Sequence, residues 1–219
     1  MRKYLWSMVC LLMVSFLVSC GKDTYHYPSV KEEFFSGFAK ADSLLNYIIT
    51  DDGARRVVTQ WGDQLSKLKP DTLFRLMGYY EDLSSDNVKV HSFVKAISHK
   101  PVPASQYVDS VTTAPIIMQS AWLGHQYVNM VLLVKGGGKM HRITFLEETV
   151  TPVDAFGISH VVFSIHHNDN HDAQVYETRA YASLPLSSYL DSSVRNLDIQ
   201  INYMDYEGIS RDYSVVYNN

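Results

Sequence analysis

The sequence predicts an all-β protein, an OB-fold-like barrel in the N-terminal part followed by a C-terminal antiparallel β-sandwich. Three observations carry this expectation. From residue 27 onward, short runs of β-branched and aromatic residues alternate with turns rich in Gly, Asn, Asp and Ser. No long amphipathic helical period occurs after residue 20. Between Lys100 and Ala114 the alternation lapses around Pro101 and Pro103, with Pro115 just beyond, so the strands fall into two groups.

Residues 1–19 read as a leader. Arg2 and Lys3 precede an apolar run from Tyr4 to Val18, and the small residue Ser19 stands before Cys20. Leu17-Val18-Ser19-Cys20 resembles a bacterial lipobox, in which cleavage falls between Ser19 and Cys20 and the Cys20 thiol takes a diacylglycerol. The apolar run spans about 15 residues where a membrane-crossing helix needs about 20. Two or three acyl chains hold a protein far more firmly than one, because each buried CH₂ contributes about 0.8 kcal/mol. Residues 20–26 then form a short polar tether, and the lipid supplies the membrane contact. Cys10 leaves with the leader and Cys20 is acylated, so the remainder has no disulfide and relies on the core that a 46% hydrophobic composition allows.

Residues 27–104 form the expected barrel domain. Val30–Phe38 and Leu44–Thr50 read as its first strands, joined through Asp51-Asp52-Gly53, since Asp-Gly adopts positive φ easily. Arg55–Thr59 is a short third strand, and Trp61–Leu68 reads as a helical turn stopped by Pro70. Thr72–Glu81 and Val88–Ile97 complete the set across a turn at residues 83–87. Five short strands with one small helical segment match a Greek-key barrel of the oligonucleotide/oligosaccharide-binding type.

Residues 105–219 form the expected sandwich. In Gln126–Lys135 one face is wholly apolar (Val128, Met130, Leu132, Val134) and the other mixed (Tyr127, Asn129, Val131, Leu133), as in a strand near the centre of a sheet. Gly136-Gly137-Gly138-Lys139 turns the chain into Met140–Glu147. It lacks the Gly-Lys-Ser/Thr and the following helix of a phosphate loop. Ser159–His166, Tyr176–Ala182, residues 197–203 and Arg211–Tyr217 supply the remaining strands, with a short helical turn over Pro185–Leu190.

Chemistry-bearing patterns are few. The net charge is −4, and losing Arg2 and Lys3 makes it two units more negative, which opposes binding to a phosphate backbone. His166-His167-Asn168-Asp169-Asn170-His171-Asp172 holds residue types that suit zinc, copper or nickel. On a strand, however, His166 and His167 point to opposite faces, and Asn-Asp-Asn fits a hairpin turn. No metal or other cofactor is assigned. The acidic pairs Asp51-Asp52 and Glu147-Glu148 read as solvated turn or strand-end residues, because adjacent strand residues diverge while a glycosidase needs facing carboxylates. No Gly-x-Ser-x-Gly elbow is present, so no catalytic residue is assigned. Among the 15 Tyr, 9 Phe and 3 Trp, the pairs Tyr79-Tyr80 and Tyr203 with Tyr206 are the candidate stacking platforms.

Five segments carry a resemblance to a known family. Tyr25-His26-Tyr27-Pro28-Ser29-Val30-Lys31, Leu68-Lys69-Pro70-Asp71-Thr72, Tyr79-Tyr80-Glu81, Gln119-Ser120-Ala121-Trp122-Leu123 and Ser183-Leu184-Pro185-Leu186 are similar, in this order, to recurring segments of NigD-like lipoproteins of the Bacteroidetes. The resemblance implies an N-terminal OB-type barrel, a C-terminal β-sandwich and a loose link to bacteriocin production or immunity. It brings no catalytic residues. Residues 36–45 and the His-rich turn are individual to this chain, so no specific ligand carries over. Lys22-Asp23 resembles in part the surface-export signal of such lipoproteins, which leaves the face of the outer membrane open. The expectation is a non-catalytic envelope lipoprotein that binds a protein, peptide or glycan and no nucleic acid. The alternative is an envelope hydrolase of glycan or peptide whose acidic residues meet only on folding.

Overall fold

The computed structural model describes residues 29–42, 44–62, 67–108 and 113–219. The leader, the tether, Ser19 and Cys20 lie outside the described residues. Strands β1 (Val30–Ala39), β2 (Leu45–Thr50), β3 (Arg55–Trp61), β4 (Thr72–Asp82) and β5 (Asn87–Lys95) close into a barrel in the order β1-β2-β3-β5-β4. Neighbours are antiparallel except β3 and β5, whose parallel pairing completes the closure. Closure removes the free edges that an open five-stranded sheet would expose. Phe35, Ala39, Leu45, Ile48, Val58, Leu76, Tyr80, Val88 and Val90 fill its interior. Trp61, expected to open a helical turn, ends β3 instead, with its indole N–H donated to Leu45 O at 3.0 Å. Residues 63–66 of that expected turn lie outside the described residues.

The second group comprises β6 (Val102–Pro103), β7 (Ile117–Gly124), β8 (Tyr127–Gly136), β9 (Arg142–Val150), β10 (Ile158–Asn168), β11 (Tyr176–Pro185), β12 (Asn196–Met204) and β13 (Ser210–Asn218). One sheet runs β13-β12-β10-β9-β6 and the other β11-β8-β7. Most pairs are antiparallel, while β10 with β12 and β6 with β9 are parallel. Pro103, which cannot donate to a ladder, is accommodated because β6 is an edge strand. The expected helical turn over Pro185–Leu190 is corrected in part: Pro185 ends β11, and a turn closed by Tyr189 N–H to Leu186 O follows. Among the described residues the only helical segment is the 3-10 turn Ala104–Gln106.

The two sheets enclose a core of Val128, Met130, Leu132 and Val134 of β8 with Phe145, Phe163, Leu184, Leu197, Ile199 and Ile201. These include the apolar face read from the sequence of β8. The mixed face of β8 is buried too, because Asn129 is fully covered and Val131 nearly so. It looks outward from the sandwich onto the barrel. Phe34 of β1 packs edge-on against Trp122 of β7 at 5.5 Å and Tyr181 of β11 at 6.0 Å. The three-stranded sheet is therefore a middle layer, with the five-stranded sheet on one side and the barrel on the other.

Candidate functional site

Two polar clusters are built where elements distant in sequence meet. The first lies between barrel and sandwich. Ser36, Arg75, Asn129 and Ser183 sit on the outward rows of β1, β4, β8 and β11, and all four are buried. Arg75 Nε donates to Ser183 Oγ at 3.0 Å, and its other nitrogens donate to Asn129 Oδ1 at 2.9 Å, Ser36 Oγ at 3.4 Å and the Asp51 carboxylate. Asn129 Nδ2 donates to the second Asp51 oxygen, and Ser183 Oγ donates to Asn129 Oδ1 at 2.7 Å. The guanidinium also lies 4.1 Å from the Tyr127 ring centre, a cation–π geometry. Every buried side-chain nitrogen and oxygen of this group has a hydrogen-bond partner, as a buried charge requires.

The expectation that Asp51 is a solvated turn residue is thereby corrected. The turn forms as read, with Gly53 at φ +83°. Its first carboxylate, however, is buried against Arg75, with side-chain exposures of 12% and 2%. Asp52 bonds Thr50 and the Ala54 N–H within the turn. Glu147 and Glu148 diverge as expected, the first accepting from Tyr189 and the second from Ser164.

The second cluster joins the glycine-rich turn to the histidine-rich turn. Asp172 Oδ2 accepts backbone N–H groups from Gly137 at 2.6 Å and from Gly138 and Lys139 at 3.0 Å. These bonds, led by that from Gly137, hold its carboxyl down at about 2. Lys139 Nζ donates to the carbonyls of Asn170 and His171. His141 Nε2 meets Asp172 Oδ2 at 3.2 Å, His141 Nδ1 meets His167 Nε2 at 3.0 Å, and His167 Nδ1 meets Pro115 O at 3.2 Å. A carbonyl and a carboxylate only accept, so His167 Nδ1 donates to Pro115 O and His141 Nε2 donates to Asp172 Oδ2, and the contact between the two rings is completed by one further ring proton. Burial, with a smaller contribution from His141, lowers the His167 pKa against the opposing pull of the Pro115 carbonyl.

His166 points the other way, to the Tyr107 hydroxyl at 3.1 Å, and His171 adopts a left-handed turn conformation at φ +52°. Among the described residues no group of three or more His, Cys, Asp or Glu side chains is arranged to hold a metal ion. The aromatic pairs are dispersed as well. Tyr80 is in the barrel core with its hydroxyl on Glu33 at 2.6 Å, whereas Tyr79 is exposed. Tyr206 accepts the Lys135 N–H, and Tyr203 packs on the sandwich core. A stacked pair missed in the sequence, Phe38 and Tyr47 at 5.2 Å, lies on the barrel exterior under Arg55. Its partners face each other across β1 and β2, which residue spacing alone does not reveal.

Beside the second cluster a cleft of about 380 Å³ opens at the edge of the sandwich. Its floor is Ile97, Val134, Ile143 and Ala180, and Lys139, His141 and Tyr176 stand at its mouth. The apolar floor with a few polar groups at one side is the usual make-up of a binding cleft.

Residues 100–217 match the family model of the NigD-like C-terminal beta sandwich domain. Among solved structures, a NigD-like immunity protein from Bacteroides caccae is 30% identical with a TM-score of 0.70, over 89% of this chain and 99% of that one. A protein of Parabacteroides distasonis provisionally named as toxin-related is 22% identical, with a TM-score of 0.66 over 86% and 93% of the two chains. A provisionally named lipoprotein of Bacteroides fragilis shares the fold at 10% identity, with a TM-score of 0.57 over 87% and 99%. No curated protein matches the chain.

Proposed function

This chain belongs to the NigD-like family, and from that premise we propose that it is a non-catalytic lipoprotein of the bacterial envelope, anchored through Cys20, whose joined β domains bind a polypeptide partner. The observation that carries the reading is the Arg75 cluster. Its buried guanidinium ties the barrel to the sandwich through bonds to Asp51, Asn129 and Ser183. The acidic pairs that a glycan or peptide hydrolase would draw on are committed to structural bonds at Arg75, Thr50, Tyr189 and Ser164. The immunity protein that aligns along nearly its whole length makes a toxin-like polypeptide the natural partner class. The lipoprotein with the same fold accords with the leader and Cys20, and among the described residues no helix is long and apolar enough to cross a membrane.

The test has two arms. Expressed in a Bacteroides host, the full chain partitions with membranes and its N-terminal peptide carries diacylglycerol on Cys20, whereas Cys20→Ser leaves the chain unprocessed and unacylated. Detergent-solubilised protein incubated with peptidoglycan fragments and with peptides leaves them intact. A non-acylated wild type, or sustained turnover of either substrate, overturns the proposal.

A further inference from the structure

The free half of strand β11 offers a backbone as well as a cleft. Ile97, on the link between the domains, pairs with this edge: its N–H donates to Tyr181 O at 2.8 Å, and its carbonyl accepts the Ser183 N–H at 2.9 Å. In an unbroken strand the N–H and C=O of one residue point to the same side, and successive residues point to opposite sides. The register of β11 with β8 is continuous from Tyr176 to Pro185. The backbone groups of Glu177 and Arg179 therefore point the same way as those of Tyr181 and Ser183, away from β8. Ile97 uses only the far end of this row, and the chain before it leaves for the barrel, where Ala96 N–H bonds Arg75 O. Among the described residues, Glu177 and Arg179 have no backbone partner on that side.

Directly beneath this open stretch lies the cleft described above, into which Tyr176, Thr178 and Ala180 of the same strand face. At its mouth the Tyr176 ring is exposed (53%) beside Lys139 and His141. Resting on the reading of the protein as a binding module, we infer that this site takes an extended segment of a polypeptide partner, which adds a strand to β11 and seats an apolar side chain in the cleft. The outward amides of Glu177 and Arg179 repeat about every 6.6 Å, the two-residue step of an extended chain. Main-chain bonds along such an edge supply affinity, and the pocket under alternate side chains supplies selectivity. Glu177 and Arg179 also present opposite charges one step apart, so the guest favours a basic residue opposite the first and an acidic one opposite the second. The Ile97 bridge already pairs one extended residue with this edge in parallel orientation.

The test is a displayed library of random nonapeptides selected on the full chain in detergent micelles. Enriched peptides alternate apolar with polar residues, and their binding protects the Glu177 and Arg179 amides from hydrogen exchange. Arg179→Pro removes one outward donor while sparing the ladder to β8, and Thr178→Trp fills the mouth of the cleft from an exposed position. Each weakens binding at least tenfold, while Val216→Ala on the opposite sheet leaves it unchanged, with all three variants retaining the wild-type melting temperature. Absence of enrichment, or peptides that bind both variants as tightly as wild type, overturns the inference while leaving anchoring and partner binding elsewhere intact. Cleavage of the selected peptides by the wild-type protein would instead overturn the binding-module reading itself.

Discussion

Arg75 is buried against Asp51 and bonded to three further side chains. Replacing one partner of a buried ion pair strands the other, which costs about 3–5 kcal/mol. Arg75→Met is expected to lower the free energy of unfolding by about that much in urea titration, and adding Asp51→Asn to recover part of it. His167 gives a pH dependence. Its folded pKa is below the ordinary 6.5, so the unfolded chain binds the extra proton more readily. Its contribution is fully present above pH 6.5 and is lost as pH falls below it. The stability curve of the wild type should thus slope downward on acidification from neutral pH, and the slope should flatten in His167→Gln. Asp172 acts lower on the scale: held at about 2, it stabilises the folded state above its ordinary value of 3.8, and that contribution disappears as pH falls toward 2. Neither cluster was legible in full from the sequence. Asp51 lies 24 positions from Arg75, and Ser183 lies 108 from it, so no local spacing announces the contact. The His-rich turn was correctly seen to scatter His166 and His167, but its bond to the glycine turn 33 or more residues upstream needed the fold.

At the scale of elements, strands with strict alternation were legible and interrupted ones were not. The core face of β8 and the segments of β12 and β13 follow directly from period-two patterning, since alternate residues meet the apolar core. Strand β7 was missed because a bulge between Met118 and Ser120 breaks its alternation, and β6 because two residues ending in proline carry no period at all. The sequence of β8 marks its second face as mixed, and the fold sets that face against the barrel, with Asn129 fully buried. Close approach there depends on Gly124 at the end of β7. A Cβ at that position would stand 2.2 Å from Asp51 Oδ2 and 2.4 Å from Asn129 Nδ2. Gly124→Ala should therefore destabilise the protein by about 1–3 kcal/mol, the usual cost of overpacking, as read by a lowered urea midpoint with an unchanged slope.

For the whole molecule, the joining of barrel to sandwich is the property on which the functional account depends. The five-stranded barrel that short strands and a family resemblance foretold closes in the order β1-β2-β3-β5-β4, and the sandwich has its own core. What the sequence did not disclose is that the inter-domain surface carries a sealed polar hub and a shared backbone bridge at Ile97. Such a surface couples the two modules, and a partner that adds to the β11 edge then meets a preorganised site at little ordering cost. Differential scanning calorimetry of the full chain in detergent, for wild type and Arg75→Met, tests this most directly. Wild type is expected to show one cooperative transition, and the variant either two separated transitions or a markedly lower melting temperature. Two independent transitions in the wild type, or a variant that melts as the wild type does, would contradict it.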